Sequence, residues 1–307
     1  MSASAKMNLD DEGRAIRCPL CGAGSQRPRQ PFNGYEMAEC SDCSFVYTRL
    51  RKIPASQYEE VYSNEPDYLK MVAIAERTAA GKQGFRDLRW FKRKALRWIE
   101  NERPRGRLLE VGSGPGTFLL VAQRRGWDVT GVEPTKLAAD RAQSLGVNSY
   151  NGTIEDFAAT HDQKFDVVTS FEVIEHVPDV LGMLAAIRSV LKPDGVFVFS
   201  VPNLDDPYTL RQTIPVNLPP LHINFFRRQS MTVALSKAGF VPDRFATLPI
   251  PTTGVRNDHG LVGLILRAPL LGALSLVGKA DGTTLLGMAR LGRVEEGAAA
   301  TARQIPQ

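Results

Sequence analysis

Two rhythms of apolar residues run along the 307-residue chain, and the change between them falls near Arg107. Before it, over residues 56–100, aromatic and aliphatic residues recur at three- and four-residue steps, as in FRDLRWFKRKALRWIE. That spacing stacks them on one face of a helix, which Pro104 and Gly106 then end. After Arg107, short apolar runs alternate with helix-spaced stretches. RLLEV, WDVTGVE, FDVVTSFE and GVFVFSVP read as strands, with helices expected over Gly116–Arg125, Thr135–Leu145 and Val180–Leu191. A further helix is expected over Ser230–Ala238, closed by Gly239, and TTLLGMAR reads as a last strand. Strands alternating with helices predict an α/β fold, a parallel sheet with helices on both faces.

The same pattern divides the chain. Residues 1–16 are polar and expected to be flexible, 17–50 hold the cysteines, 51–105 form a helical lead-in, 106–292 carry the sheet, and 293–307 are a flexible Ala-rich tail. Within the sheet domain, 203–228 is expected to be a substrate loop and 255–280 an apolar insertion. His259–Lys279 is poor in charge, but Arg267, Pro269 and several glycines interrupt it, whereas a spanning helix wants about 20 uninterrupted apolar residues. The stretch reads first as a surface packed against the domain or a partner chain, and second as a peripheral membrane contact. In the second case the substrate is expected to be lipid-linked. The pattern leaves the oligomeric state open.

Composition narrows this only slightly. Hydrophobic residues make up 43% and charged residues 23%, an ordinary globular balance. A net charge of +5 permits an anionic partner without requiring one. The N-terminus has no apolar run of signal-peptide type, so a cytoplasmic protein is expected.

The four cysteines form two pairs, Cys18/Cys21 in CPLCG and Cys40/Cys43 in CSDC. Each C-x-x-C can turn two thiolates toward one ion, and two such knuckles complete a closed tetrahedral zinc site. All four are therefore expected to hold one structural Zn2+, adding roughly 10–16 kcal/mol of apparent binding energy to a ribbon with little core. A redox pair and inert buried cysteines are the alternatives, which the doubled spacing disfavours. Four thiolates leave no open coordination position, so the site is assigned no catalysis.

Glu110, Gly112, Gly114 and Gly116 form E-x-G-x-G-x-G where a strand gives way to a helix. Glycines let the backbone turn sharply and approach a ligand with no Cβ in the way. Dinucleotide enzymes share such a turn, but three features point to S-adenosylmethionine (SAM) instead. Glu110 precedes the first glycine, where it suits a ligand carrying an ammonium and a sulfonium and repels a pyrophosphate. Glu133 ends the next strand, placed to accept hydrogen bonds from ribose hydroxyls. GTIEDF (Gly152–Phe157) supplies a short polar segment to bracket an adenine. Alone, Glu133 reads equally as a solvated helix-cap residue; the combination carries the assignment.

Histidine is the side chain best suited to take a proton near neutral pH. His176, in EVIEHV, follows the FDVVTSFE strand on the ligand edge of such a sheet, and His222, in PPLHINFF, lies in an apolar loop after the GVFVFSVP strand. Both are candidate catalytic bases. The plainer reading of His176 is a helix cap or a partner of the backbone. His161, in THDQK, is expected on the surface.

LLEVGSGPG, GVEP, FDVVTSFEVIEHVPD and VLKPDGVFVFSVPN, in order over about residues 106–240, resemble the class I SAM-dependent methyltransferases, especially quinone and sugar O-methyltransferases. CPLCG…CSDCSFVYTRL with Tyr58 and Tyr62 resembles the zinc ribbon and lead-in of bacterial methyltransferases, some acting on nucleotide sugars. The resemblance implies a Rossmann-like methyltransferase sheet preceded by a small zinc ribbon. It implies that Glu110, Gly112, Gly114 and Gly116 line the methionine end of SAM and that Glu133 holds the ribose, where aspartate is the commoner residue. It also implies Ile154 and Glu155 beside the adenine, and Phe171 and Glu172 beside the methyl group. Related O-methyltransferases carry a histidine at the position of His176. Some bind a divalent metal through the run that here is Glu172, Glu175 and His176. Magnesium is the weaker expectation there, because it demands more oxygen ligands.

The expected activity is methyl transfer to a small-molecule, glycan or lipid-linked acceptor, at oxygen ahead of carbon or nitrogen. C-methylation of a nucleotide sugar, methylation of rRNA or tRNA, and a non-catalytic SAM-binding module are the alternatives. Nucleic acid is disfavoured, since the basic stretch Lys82–Arg107 has helical spacing and no interleaved aromatic stripe.

Overall fold

The computed structural model describes residues 17–32, 34–49, 66–205, 219, 221–247 and 283–292. The apolar insertion 255–280 with its 259–279 stretch, Tyr58, Tyr62, most of the 203–228 loop and both expected flexible termini lie outside the described residues.

The chain begins with β1 (Gln26–Phe32), β2 (Tyr35–Cys40) and β3 (Val46–Thr48), an antiparallel meander. The lead-in forms two helices, α1 (Pro66–Ala79) and α2 (Trp90–Glu102). Gly81, at φ +75, follows α1 in the left-handed conformation that commonly terminates helices. In α2, Phe91, Ala95, Leu96 and Ile99 are buried, as the three- and four-residue spacing predicts.

The α/β domain then runs β4 (Arg107–Val111), α3 (Thr117–Arg124), β5 (Asp128–Glu133), α4 (Lys136–Ser144), β6 (Asn148–Asn151), α5 (Ile154–Thr160) and β7 (Phe165–Phe171). It continues through a 3-10 turn at Ile174–His176, α6 (Val180–Val190), β8 (Leu191–Pro202), β9 (Asn224–Phe225), α7 (Arg228–Lys237), β10 (Phe240–Thr247) and β11 (Thr284–Leu291). The main sheet has the order β10-β11-β8-β7-β4-β5-β6. Strands β6, β5, β4, β7 and β8 are parallel, while β11 pairs antiparallel with both β8 and β10. Strand order reverses between β4 and β7, so their carboxyl ends flank the crevice where open α/β sheets bind ligands.

Apolar side chains cover both faces. Leu109 and Val111 of β4 join Leu184, Ile187, Met231 and Leu235 of α6 and α7. Leu108 joins Phe91, Leu96 and Ile99 of α2 and Phe118 and Leu119 of α3. Burial on two sides explains why RLLEV and GVFVFSVP read as continuous rather than alternating apolar runs. Strand β10, with Pro242 inside it, carries a register shift between Pro242 and Arg244 that accommodates the proline. The ribbon meander is not closed on itself: β9, which follows the fifth parallel strand β8, adds to it in the order β1-β2-β3-β9.

Candidate active site

Beyond β4 the backbone turns through Gly112, Gly114 and Gly116 at φ +70, +54 and +82, where a side chain is strained. A Cβ on Gly112 would overlap Val173, so this turn and the loop after β7 touch with no room for more. Glu133, 3% exposed, accepts the Gly114 N–H at Oε2 and the Thr135 N–H at Oε1, both at 2.9 Å. Burial raises its pKa and these amides oppose the shift. Its carbonyl accepts the Gly152 N–H at 3.1 Å, which brings the expected adenine segment to the same edge. There Ile154 is buried and Glu155 exposed, while Thr153 and Asp156 cap α5 reciprocally. The short polar segment is thus the start of a helix.

Glu110 is fully buried, and Lys92 of α2 lies 3.1 Å from its Oε1. The same ammonium sits over the rings of Phe118 and Phe171, at 5.7 and 5.1 Å. Burial raises the Glu110 pKa and Lys92 works against it. The protein therefore supplies its own cation to a carboxylate that sequence reasoning reserved for a ligand. The clue was present, because Lys92 falls on the Leu96–Ile99 stripe of α2. Sequence reasoning expected helix here but gave α1 no place at the site, where its buried Tyr68 feels the Glu133 charge and its Met71 lies against Gly114.

Glu172, one of two non-glycine residues at positive φ among the described residues, sits at +58 directly after β7. Its N–H donates to the Ser200 carbonyl at 3.0 Å and its Oε1 accepts the Ser200 hydroxyl at 2.7 Å, bonds that hold the unusual conformation. The turn it opens delivers Glu175 and His176. Nδ1 of His176 lies 2.9 Å from the Leu221 carbonyl. A carbonyl only accepts, so in the neutral ring Nδ1 carries the hydrogen and Nε2 the lone pair.

His222 packs edge-on against His176, ring centroids 4.6 Å apart. Burial lowers the pKa of His176 and pushes that of His222 well below the usual 6.5, so both are neutral near pH 7. Glu175 is buried with neither oxygen hydrogen-bonded, and burial together with the neighbouring Glu172 raises its pKa strongly. Donor atoms of Glu175, His176 and His222 all lie within 4.8 Å of one another. Sequence reasoning grouped Glu172 with Glu175 and His176; the structure brings His222 into that group. His161, expected on the surface, is half-buried with its ring stacked on Phe157 at 4.3 Å.

The cysteines converge as two matching turns. Gly22 N–H donates to the Cys18 carbonyl and Ser44 N–H to the Cys40 carbonyl, while Cys18 and Cys40 donate to Ala23 and Phe45. Gly22 and Ser44 occupy equivalent left-handed positions, at φ +79 and +59. All four sulfurs lie within 4.8 Å of one another, with Cys18–Cys43 at 3.6 Å and Cys21–Cys40 at 3.5 Å. Sulfurs around a tetrahedral zinc would be about 3.8 Å apart, so the donor set fits that ion. The Cys18–Cys43 contact lowers the pKa of Cys18 and raises that of Cys43, so the metal-free pair shares a proton that a bound ion would displace. Because serine is strained where Gly22 is not, Ser44→Gly is expected to stabilise the protein by about 0.5–1 kcal/mol. A thermal unfolding midpoint at or below that of the parent would contradict this.

A sheet whose order reverses beside a glycine turn, with acidic strand ends and one strand, β11, set antiparallel between β8 and β10, defines the class I methyltransferase fold. The profile of the methyltransferase domain family matches residues 82–243, and the chain belongs to that family. A ubiquinone biosynthesis O-methyltransferase of Actinobacillus pleuropneumoniae is 40% identical over 107 residues, 32% of this chain and 46% of that protein. One from Salmonella typhi is 35% identical over 144 residues, 44% of this chain and 59% of that protein. The chain thus spans about half the length of these curated relatives. A SAM-dependent methyltransferase from Archaeoglobus fulgidus shares the fold at a TM-score of 0.51 and 17% identity, over 64% of this chain and 91% of that one. The 1,6-didemethyltoxoflavin-N1-methyltransferase of Burkholderia thailandensis, solved with S-adenosylhomocysteine, does so at 0.50 and 18%, over 87% and 100%.

Proposed function

We propose that the chain is a SAM-dependent methyltransferase that acts at oxygen on a small-molecule, glycan or lipid-linked acceptor. One observation carries the reading: the glycine turn and the histidine-bearing loop meet at one sheet edge, Gly112 against Val173. The family membership and the O-methyltransferase names of the relatives support it. SAM, when bound, supplies an electrophilic methyl group on sulfur. The positive-φ glycines leave a cradle free of Cβ atoms, which Gly112, Gly114 and Gly116 would offer to the methionine end. Beyond its bonds from Gly114 and Thr135, the Glu133 carboxylate keeps acceptor capacity for a ribose hydroxyl. Ile154 and Glu155 would flank the adenine, and Phe171 and Glu172 the transfer site, with the charge of Glu110 balanced by Lys92.

His176 would act as the base. Its Nε2 lone pair takes the acceptor's hydroxyl proton as the new C–O bond forms and the S–CH3 bond breaks, while the Leu221 carbonyl fixes the ring. His222, packed edge-on beside it, offers a second neutral imidazole to the acceptor. Cys18, Cys21, Cys40 and Cys43 would hold one structural zinc. Residues 259–279 would pack against the domain or touch a membrane surface. Among the described residues, no helix is long and apolar enough to cross a membrane.

Incubation of the purified protein with methyl-labelled SAM and a fractionated cell extract tests the activity. Label is expected in the small-molecule or lipid fraction, on oxygen. Label confined to RNA, or in no fraction, would overturn the reading. Metal analysis is expected to find about one zinc per chain, and a metal-free, folded protein would remove the zinc assignment.

A further inference from the structure

The candidate acceptor side is tied to the ribbon by an unbroken run of backbone and side-chain bonds. Strand β9 pairs with β3 through Val46↔Phe225 and Tyr47↔Asn224, and the Thr48 N–H donates to the Ile223 carbonyl at 3.0 Å. Phe226, just beyond, packs 5.1 Å from Phe45, whose carbonyl closes the second cysteine turn at Cys40. On its other side the same segment clamps the 3-10 turn. Ile223 N–H donates to the Glu175 carbonyl at 3.0 Å, and the Leu221 carbonyl accepts from His176. Asn224, 1% exposed, donates from Nδ2 to the carbonyls of both Ile174 (3.0 Å) and Val177 (2.7 Å). One carboxamide thus brackets His176 from both ends of its turn. The glycine turn takes no part in these bonds; it hangs from β4 and β5, where Gly112 N–H donates to the Val132 carbonyl.

We propose that the ribbon is the positioning element of the acceptor side, with Asn224 as the positioning residue that sets His176 against His222 without touching the cofactor turn. The proposal rests on reading that pair as the acceptor-side machinery. Without the Asn224 donor the Ile174 carbonyl keeps only the long 3.4 Å bond from the Val177 N–H inside the same turn, so loss of the donor loosens the turn from β9. The ribbon then acts on the rate of transfer and not on cofactor affinity.

Amide hydrogen exchange on the full-length protein tests this, with one variant at each end of the link. Asn224→Asp keeps the side-chain shape and removes the donors; Phe45→Leu loosens the ribbon end. In both, exchange at 174–177 and 221–226 is expected to rise at least about tenfold. Exchange at 112–117 and the affinity for S-adenosylhomocysteine should stay within about twofold. Label transfer by Asn224→Asp should fall about 10- to 100-fold, since misplacement of a reacting group by about 1 Å costs that much. Unchanged protection at 174–177 in either variant overturns the proposal. Uniform loosening, or a parallel loss of cofactor affinity, overturns it too, because the ribbon would then be a global stabiliser only. A parent protein that moves no label would sink the methyl-transfer reading, while the exchange pattern would still decide this one.

Discussion

His176→Ala is expected to lower the rate of methyl transfer about 10²–10⁴-fold, the usual contribution of a positioned base. Binding of S-adenosylhomocysteine, measured by calorimetry, should change by less than about twofold, because the glycine turn and Glu133 lie on other elements. The expectation follows from the ring's orientation. The Leu221 carbonyl holds the Nδ1 hydrogen, so Nε2 is the basic atom, and no main-chain group can replace it. His176→Gln removes the base but retains a polar side chain, and should be nearly as slow. A variant within threefold of the parent rate would show that the acceptor ionises without this residue.

The same environment fixes the pH dependence. Burial lowers both histidine pKa values, so the neutral, proton-accepting form persists below the usual 6.5. The rate should be flat from pH 8 to about 6.5 and fall only on the acid side. Stability should follow the same sign. A histidine whose folded pKa is depressed binds fewer protons than in the unfolded chain, so its contribution is present above the unfolded value and lost as pH falls through the folded one. A transfer rate that halves between pH 8 and 7 would contradict the assignment.

Gly112→Val is expected to abolish cofactor binding at working concentrations. A β-branched residue in the left-handed region costs roughly 1–2 kcal/mol, and forced overlap in a packed site adds about 1–3. Where that cost of about 2–5 kcal/mol falls on the turn in its cofactor-bound shape, it corresponds to a loss of affinity of about 30- to 4000-fold. The overlap falls on Val173, three positions before His176, so transfer should suffer beyond the loss in affinity. Gly24→Ala is the matched control. A Cβ there meets nothing within 4 Å and its φ is unremarkable, so stability and binding should be unaltered. If Gly112→Val bound S-adenosylhomocysteine like the parent, the turn would not be the cofactor cradle.

Much of the fold was legible wherever burial is two-sided. The strands RLLEV, FDVVTSFE and GVFVFSVP and the helices between them follow from continuous apolar runs set against a 3.6-residue rhythm, and both patterns are consequences of core packing. What escaped notice lacks that signal. Strand β6, NSYN, is short and polar, and its existence depends on pairing with β5. Strand β10 carries Pro242 and Asp243, which argue against a strand until the register shift beside them is seen.

At the site, local motifs revealed the glycine turn, Glu133, both histidines and all four cysteines, because close backbone approach and thiolate spacing leave a mark over a few residues. The partners that complete the site come from afar and leave none. Lys92 reaches Glu110 from the lead-in helix, Ser200 locks Glu172 across adjacent strands, and Asn224 grips the His176 turn. The position of a residue on a helical stripe foreshadowed the first of these alone.

The ribbon's fourth strand has a further consequence, for how the chain is made. β3 leaves the ribosome early, and its partner β9 emerges only after the five parallel strands of the main sheet. The cysteine turns can close as soon as they are synthesised, but the exposed edge of β3 must wait until a long loop is shut behind it. Until then that edge is an open template for another strand. A nascent chain arrested before Asn224 is therefore expected to be stickier than one released just after Phe226. Cut away or moved to another protein, the N-terminal module is expected to lose its fourth strand and leave the β3 edge open.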